Sequence, residues 1–150
     1  MKIEAIIKST TAISLEKKTM LNLIYTQHLI SEKFSELLKK HDLSSEQYNV
    51  LRILRGQKGN PANMCMIQER MIAKTSNTTR LVDKLVSKEM VIRKVCPENK
   101  RKMEVTITEK GMNVLEILDP IVIDFENQFT QNLTQIELET INELLEKLRN

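Results

Sequence analysis

The 150-residue sequence predicts a mainly helical fold that carries one small β-hairpin. Three observations predict it. Three Gly and three Pro are too few for the turns of an all-β chain. Apolar residues recur at three- and four-residue steps through most of the chain, the mark of amphipathic helices. Between residues 91 and 107 the period shortens to two, in β-branched runs on either side of Pro97-Glu98-Asn99-Lys100. The length suits a single domain with a core of its own. With no Trp, two Tyr and three Phe, that core must be built from Leu, Ile, Val and eight Met.

The elements follow in order. Residues 1–13 are expected to form a short helical arm on which Ile3, Ile6 and Ile7 share a face. Such a stripe calls for a partner surface, either the body or a second subunit. Ser14 to His41 reads as one long helix, with Leu15, Met20, Leu21, Ile24, Phe34, Leu37 and Leu38 at helical spacing. Tyr25 and His28 lie within it; a lone His on such a helix is usually a structural residue. Asp42-Leu43-Ser44-Ser45-Glu46-Gln47 is a helix start, capped by Ser44 with Gln47 or by Ser45 with Glu46. That helix runs through Tyr48, Val50, Leu51, Ile53 and Leu54 and stops between Gly56 and Gly59, ahead of Pro61.

Asn63 can cap a shorter helix, Met64 to Ile72, with Met64, Ile67 and Met71 inward. After the turn at Ala73-Lys74, Thr75 or Ser76 can cap a third helix. Thr78, Leu81, Val82, Leu85 and Val86 share its apolar face; Ser76, Asn77, Arg80, Asp83, Lys84 and Ser87 lie opposite. Two short helices joined by a tight connection make a helix-turn-helix, and the polar face of the second has the chemistry for reading base edges in a major groove. The hairpin comes next: Val91, Arg93 and Val95 alternate with Ile92, Lys94 and Cys96, and Met103, Val105 and Ile107 share a side of the return strand. Helix-turn-helix plus hairpin is the winged-helix arrangement. The wing tip carries Lys100, Arg101 and Lys102, suited to phosphates or a narrow minor groove.

Thr108 starts a helix containing Met112, Val114, Leu115, Leu118, Ile121, Val122, Phe125 and Phe129, in which Pro120 is expected to make a kink or a break. Thr134 and Glu137 form a capping box for a last helix with Leu138, Ile141, Leu144, Leu145 and Leu148 on one stripe. The long first helix and the last two offer more apolar face than a winged-helix module covers, which points to a homodimer interface. The division expected is dimerisation helices over about 1–40 and 112–150, with a DNA-binding lobe over about 42–111.

Charge agrees with this placement. The net +3 says little, but residues 74–102 hold nine basic against three acidic side chains, a net of +6. Residues 112–150 hold two against eight, a net of −6. The basic middle is therefore the polyanion site. No nucleophile–base pair, phosphate loop or metal-ligand cluster appears, which argues against an enzyme and against any metal or cofactor. Cys65 and Cys96 lack metal-ligand spacing, and ordinary packing is expected for both. A thiol switch at Cys96, among Arg93, Lys94 and Lys100, is the less favoured alternative. Two Cys, with no signal peptide and no membrane-length apolar run, fit a reducing cytoplasm.

The wing brings a resemblance. Asn99-Lys100-Arg101 followed by Ile107-Thr108-Glu109-Lys110-Gly111 resembles the wing signature of the multiple antibiotic resistance regulator (MarR) family, an Asp-x-Arg followed at fixed spacing by Thr-x-x-Gly. Arg101, Thr108 and Gly111 match, and Asn99 stands where the family usually has Asp. Leu43-Ser44, Tyr48, Val50-Leu51, Thr79-Arg80-Leu81-Val82-Asp83-Lys84-Leu85 and Leu133-Thr134 also resemble the family in the same order.

The resemblance implies a homodimeric, sequence-specific regulator of transcription on double-stranded DNA, usually a repressor on an inverted repeat. The rival reading is a winged-helix adaptor that binds protein without sequence-specific DNA binding. By position, Thr79 and Arg80 would lie at the base-reading surface and Arg101 would be the wing arginine. Asn77 and Arg80 suit base edges, and Ser76, Thr79 and Lys84 suit bases or phosphates. Asn63 could help present helix amides to a phosphate, and Lys100 and Arg101 would sit on the wing. Asn99 offers Arg101 only a neutral acceptor, so Arg101 would be held more loosely than in the family, or by Glu98 instead. Relief by a small ligand is also implied, in a crevice between the DNA-binding lobe and the dimer helices, near Tyr25, His28 and Tyr48.

Overall fold

The computed structural model describes residues 1–74 and 77–150. Its elements are α1 (Ile3–Ile6), α2 (Leu15–Lys39), α3 (Ser45–Arg55), β1 (Ala62–Asn63), α4 (Met64–Arg70), α5 (Thr78–Ser87), β2 (Val91–Val95), β3 (Met103–Ile107), α6 (Glu109–Thr130) and α7 (Gln135–Arg149). The chain divides into two compact units, Met1–Asp42 and Leu43–Asn150.

In the first unit, Ser14 caps α2 by accepting from the Lys17 amide at 3.3 Å. The expected arm contracts to the single turn of α1, joined to α2 by a 2.7 Å ion pair between Glu4 and Lys18. Its stripe is not kept whole, since Ile3 is buried and Ile7 exposed. On α2, Leu38 is buried, whereas Leu15, Met20, Ile24 and Ile30 face solvent.

In the second unit α3 is central and touches α4, α5, α6 and β3. It starts with the predicted reciprocal cap: Gln47 N–H donates to Ser44 Oγ at 3.2 Å, and Ser44 N–H donates to Gln47 Oε1 at 3.1 Å. Its Tyr48, Val50, Leu51 and Leu54 are buried, as are Ile67 on α4, Val82 and Leu85 on α5, Val105 on β3, and Leu115, Leu118 and Val122 on α6. Helix α4 ends at Arg70, two residues before the expected limit, because Met71 turns to extended backbone (φ −64°, ψ 132°) while keeping its side chain buried.

The sheet has the order β1-β3-β2, all antiparallel. The hairpin register pairs Val91 with Ile107 and Val95 with Met103. On the far edge of β3, Ala62 pairs with Val105 and Asn63 with Glu104. Two residues are too few to show a two-residue period, so β1 was not legible beforehand.

Of the two outcomes expected at Pro120, the break does not occur: α6 runs from Glu109 to Thr130 with Pro120 inside. Proline removes the donor that would meet the carbonyl of Glu116. Glu116 is exposed, so water can meet that carbonyl instead. Helix α7 begins with its predicted capping box, Thr134 with Glu137, and none of its residues is buried.

Candidate nucleic-acid interface

Helix α5 has two distinct faces. Thr78, Val82 and Leu85 are buried, Leu81 is half-buried and Val86 is at the rim. Asn77, Thr79, Arg80, Asp83, Lys84 and Ser87 are exposed. The helix starts at Thr78, with Asn77 at the N-cap position but making no side-chain capping bond. That differs from the expected start after Thr75 or Ser76; both of these, and with them the candidate site residue Ser76, lie outside the described residues.

The C-terminal end of α5 is closed by a Schellman motif. Glu89 N–H donates to the Val86 carbonyl at 2.9 Å and Met90 N–H to the Leu85 carbonyl at 3.0 Å. The motif needs a left-handed residue, and Glu89 supplies it at φ 60°. Met90 and Leu85 are both buried, the apolar contact that accompanies such caps.

Beside the outward face of α5 lies an open depression of about 300 Å³ lined by Glu46, Asn77, Arg80, Leu81 and Lys84. It brings together three of the predicted site residues, Asn77, Arg80 and Lys84. Glu46 was legible only as a first-turn helix residue. Its place here results from the packing of α3 against α5, for which local sequence carries no signal. Two further bonds brace the helix. Lys88 Nζ donates to Gln47 Oε1 at 3.5 Å, and Asp83 is ion-paired with Arg93 of β2.

The wing tip closes through Asn99. Lys102 N–H donates to the Asn99 carbonyl at 2.9 Å, which places Lys100 and Arg101 at the two central positions of a turn, both exposed. Asn99 Oδ1 accepts from the backbone N–H of Arg101 at 3.1 Å. Asn99 therefore holds Arg101 by its main chain, the usual service of an Asn at a turn. Among the described residues Glu98 forms no ion pair with Arg101. Asn63 Oδ1 accepts from Met66 N–H at 2.9 Å, so this side chain is occupied as the cap of α4.

Of the expected ligand contacts, Tyr25 is half-buried and His28 exposed, both on α2. Tyr48 on α3 is buried, with the Arg52 guanidinium 5.9 Å from its ring centroid. Burial pushes the Tyr48 hydroxyl above its ordinary pKa, and Arg52 opposes this. The cysteines part company: Cys96, just past the end of β2, is half-buried, but Cys65 is exposed. Packing was the expectation for both, and Cys65 overturns it by falling on the outer side of α4, opposite Ile67. Among the described residues no three His, Cys, Asp or Glu side chains are grouped to hold a metal ion, and no helix is long and apolar enough to cross a membrane.

Comparison with known proteins points one way. Residues 43–103, from just before α3 to the first residue of β3, match the model of the MarR family. The chain is 28% identical over 119 residues to the HTH-type transcriptional regulator MhqR of Bacillus subtilis, covering 79% of this chain and 81% of that protein. It is 29% identical over 122 residues to the HTH-type transcriptional repressor IacR of Pseudomonas putida, covering 81% and 69%. In fold it is similar to the organohalide-sensing transcriptional regulator RdhR, solved with 2,4-dichlorophenol bound. The TM-score there is 0.84 at 20% identity, over 93% of this chain and 82% of that one.

Proposed function

We propose that the chain is a DNA-binding transcriptional regulator of the MarR family and acts as a homodimeric repressor on an inverted-repeat operator. Each subunit would lay α5 into one major-groove half-site and its wing along the flanking minor groove. The observation that carries this reading is the division of α5, with an apolar face in the core and Asn77, Thr79, Arg80 and Lys84 left to solvent. Arg80 and Asn77 serve base edges; Thr79, Lys84 and Ser76 serve bases or phosphates; Lys100 and Arg101 serve the wing groove. Asn63 contributes by fixing the start of α4.

Pairing of subunits is supported by the apolar side chains that the helices outside the winged-helix lobe leave uncovered. Ile136, Ile141, Leu144 and Leu148 of α7 are 75%, 44%, 60% and 57% exposed. Leu15 and Ile24 of α2 are 75% and 60% exposed. Ile117 and Ile123 of α6 are 56% and 54% exposed, so each of these helices leaves large apolar side chains in water. On this reading residues of about 1–40 and 112–150 serve dimerisation, and about 42–111 form the DNA-binding lobe.

Repression is supported by the name of IacR, and relief by a small ligand by the phenol bound to RdhR. Tyr25, His28 and Tyr48 are the side chains to substitute first in a search for that ligand. Selection from a random duplex pool tests the central reading. It should return an inverted repeat with half-sites about one helical turn, roughly 10 base pairs, apart. A pool with no enriched sequence would overturn it, and a monomer by sedimentation would remove the dimer.

A further inference from the structure

Among the side chains lining the depression beside α5, Glu46 is the anomaly. Asn77, Arg80 and Lys84 bring donors, whereas Glu46 brings only an acceptor and a negative charge. Among the described residues no ion pair within 4 Å ties it to Arg80 or Lys84. A bare carboxylate on a surface that meets DNA is repelled by phosphates, so it is tolerated best where the DNA offers it a donor. In the major groove only the adenine and cytosine amino groups do so. Beside its amino group adenine also presents N7, an acceptor that would face the second carboxylate oxygen. Cytosine presents no such acceptor.

We propose that Glu46 is a specificity-determining residue that accepts a hydrogen bond from the cytosine amino group of one G·C pair in each half-site. Arg80 binds O6 and N7 of the partner guanine. The depression thus carries donors for the guanine edge and an acceptor for the cytosine edge, the complement of one base pair. The inference rests on the reading of α5 as the base-reading helix.

The test uses the full-length protein and duplexes selected by the wild type, in competition assays at two salt concentrations. Every half-site should hold one invariant G·C pair. Replacing its cytosine by 2-pyrimidinone, which lacks the amino group, should weaken wild-type binding roughly tenfold, one hydrogen bond's worth of discrimination. Glu46→Met keeps most of the length of the side chain but removes the carboxylate acceptor, and should bind the two duplexes nearly alike. Arg80→Ala should lose the guanine preference at that same position. Equal binding of both duplexes by the wild type would overturn the proposal. So would a Glu46→Met variant that binds all sequences more tightly by one common factor, since Glu46 would then be only a repulsive charge. If the wild type selects no sequence at all, the base-reading role of α5 itself fails, an outcome seen before any variant is made.

Discussion

Thr108 Oγ1 donates a hydrogen bond of 2.7 Å to the carbonyl oxygen of Glu89 and accepts one of 3.1 Å from the amide of Gly111. The Thr108 amide adds a third bond, to the Met90 carbonyl at 3.0 Å. The Thr-x-x-Gly half of the wing signature is thus a joint. It fastens the return of the hairpin, and the start of α6, to the Schellman cap that ends α5. On the proposed reading a helix and a wing meet one duplex and need a rigid common base, and these three bonds supply part of it.

Thr108→Val keeps the side chain's shape but removes both hydroxyl bonds and leaves the Gly111 amide without its cap. It should cost about 1–2 kcal/mol, read as a lower denaturation midpoint with an unchanged slope on denaturant. A loss under about 0.3 kcal/mol would show that water replaces the joint without penalty.

Gly111 allows the close approach. A Cβ built there would collide with the Met90 carbonyl oxygen and lie 2.8 Å from Ile107 Cγ1. The Ile107 side chain has some freedom, but the Met90 carbonyl is held by the Thr108 amide. Gly111→Ala should therefore destabilise by about 1–3 kcal/mol, the usual range for overpacking, despite the better helix propensity of Ala. Thermal unfolding checks it, and an unchanged Tm would mean that α6 can slide away from the wing.

Glu89 sits in the left-handed region at φ 60°, where an L side chain is strained. Its carboxylate gains only an exposed contact with Lys110 at 3.3 Å. Glu89→Gly should raise stability by roughly 0.5–1 kcal/mol, the relieved strain less the entropy a new glycine gives the unfolded chain. A lower Tm would show that the carboxylate does more than this contact indicates.

Arg55 of α3 holds Asp119 of α6 with two hydrogen bonds, 2.7 and 2.9 Å long. The bond from Arg55 holds the Asp119 carboxyl below its ordinary pKa of 3.8, and raises that of Arg55 in turn. A depressed folded pKa contributes stability above the unfolded value, and that stability is lost as pH falls below about 3.8 toward the folded value. Both side chains are partly exposed, at 30% and 40%, so solvent screening limits the contribution to no more than about 1 kcal/mol. Asp119→Asn should be less stable than wild type at pH 7, and the two should converge as the pH is taken below 4. A gap that persists in acid would assign the effect to packing.

Arg80 and Lys100 should fail differently in DNA binding. Arg80→Ala should relax base preference and cost on the order of 1–3 kcal/mol at the selected site. Lys100→Ala should weaken all duplexes alike and reduce the salt slope by about one. Titration of selected and random duplexes at several salt concentrations separates the two. Untouched binding by Arg80→Ala would remove Arg80, and with it this face of α5, from the proposed DNA contact.

The sequence by itself determined the local grammar of this protein. The caps at Ser44, Asn63, Thr108 and Thr134, the two faces of α5 and the hairpin from 91 to 107 all follow from residues no more than a few positions apart. Bonding between near neighbours leaves its period and its capping pairs in the order of the residues. Only the tertiary structure decided what depends on distant partners: β1 against β3, Glu46 beside Arg80, Thr108 on Glu89, and the exposure of Cys65. Such contacts join residues 19 to 43 positions apart in the chain, as between Thr108 and Glu89 or Ala62 and Val105. Local propensity is silent at that range, because the chain meets itself there only after its helices have packed. Pro120 marks the same boundary: its missing donor argues for a kink or a break, but α6 packs on α3 through buried residues such as Leu115, Leu118 and Val122, and the helix is not broken.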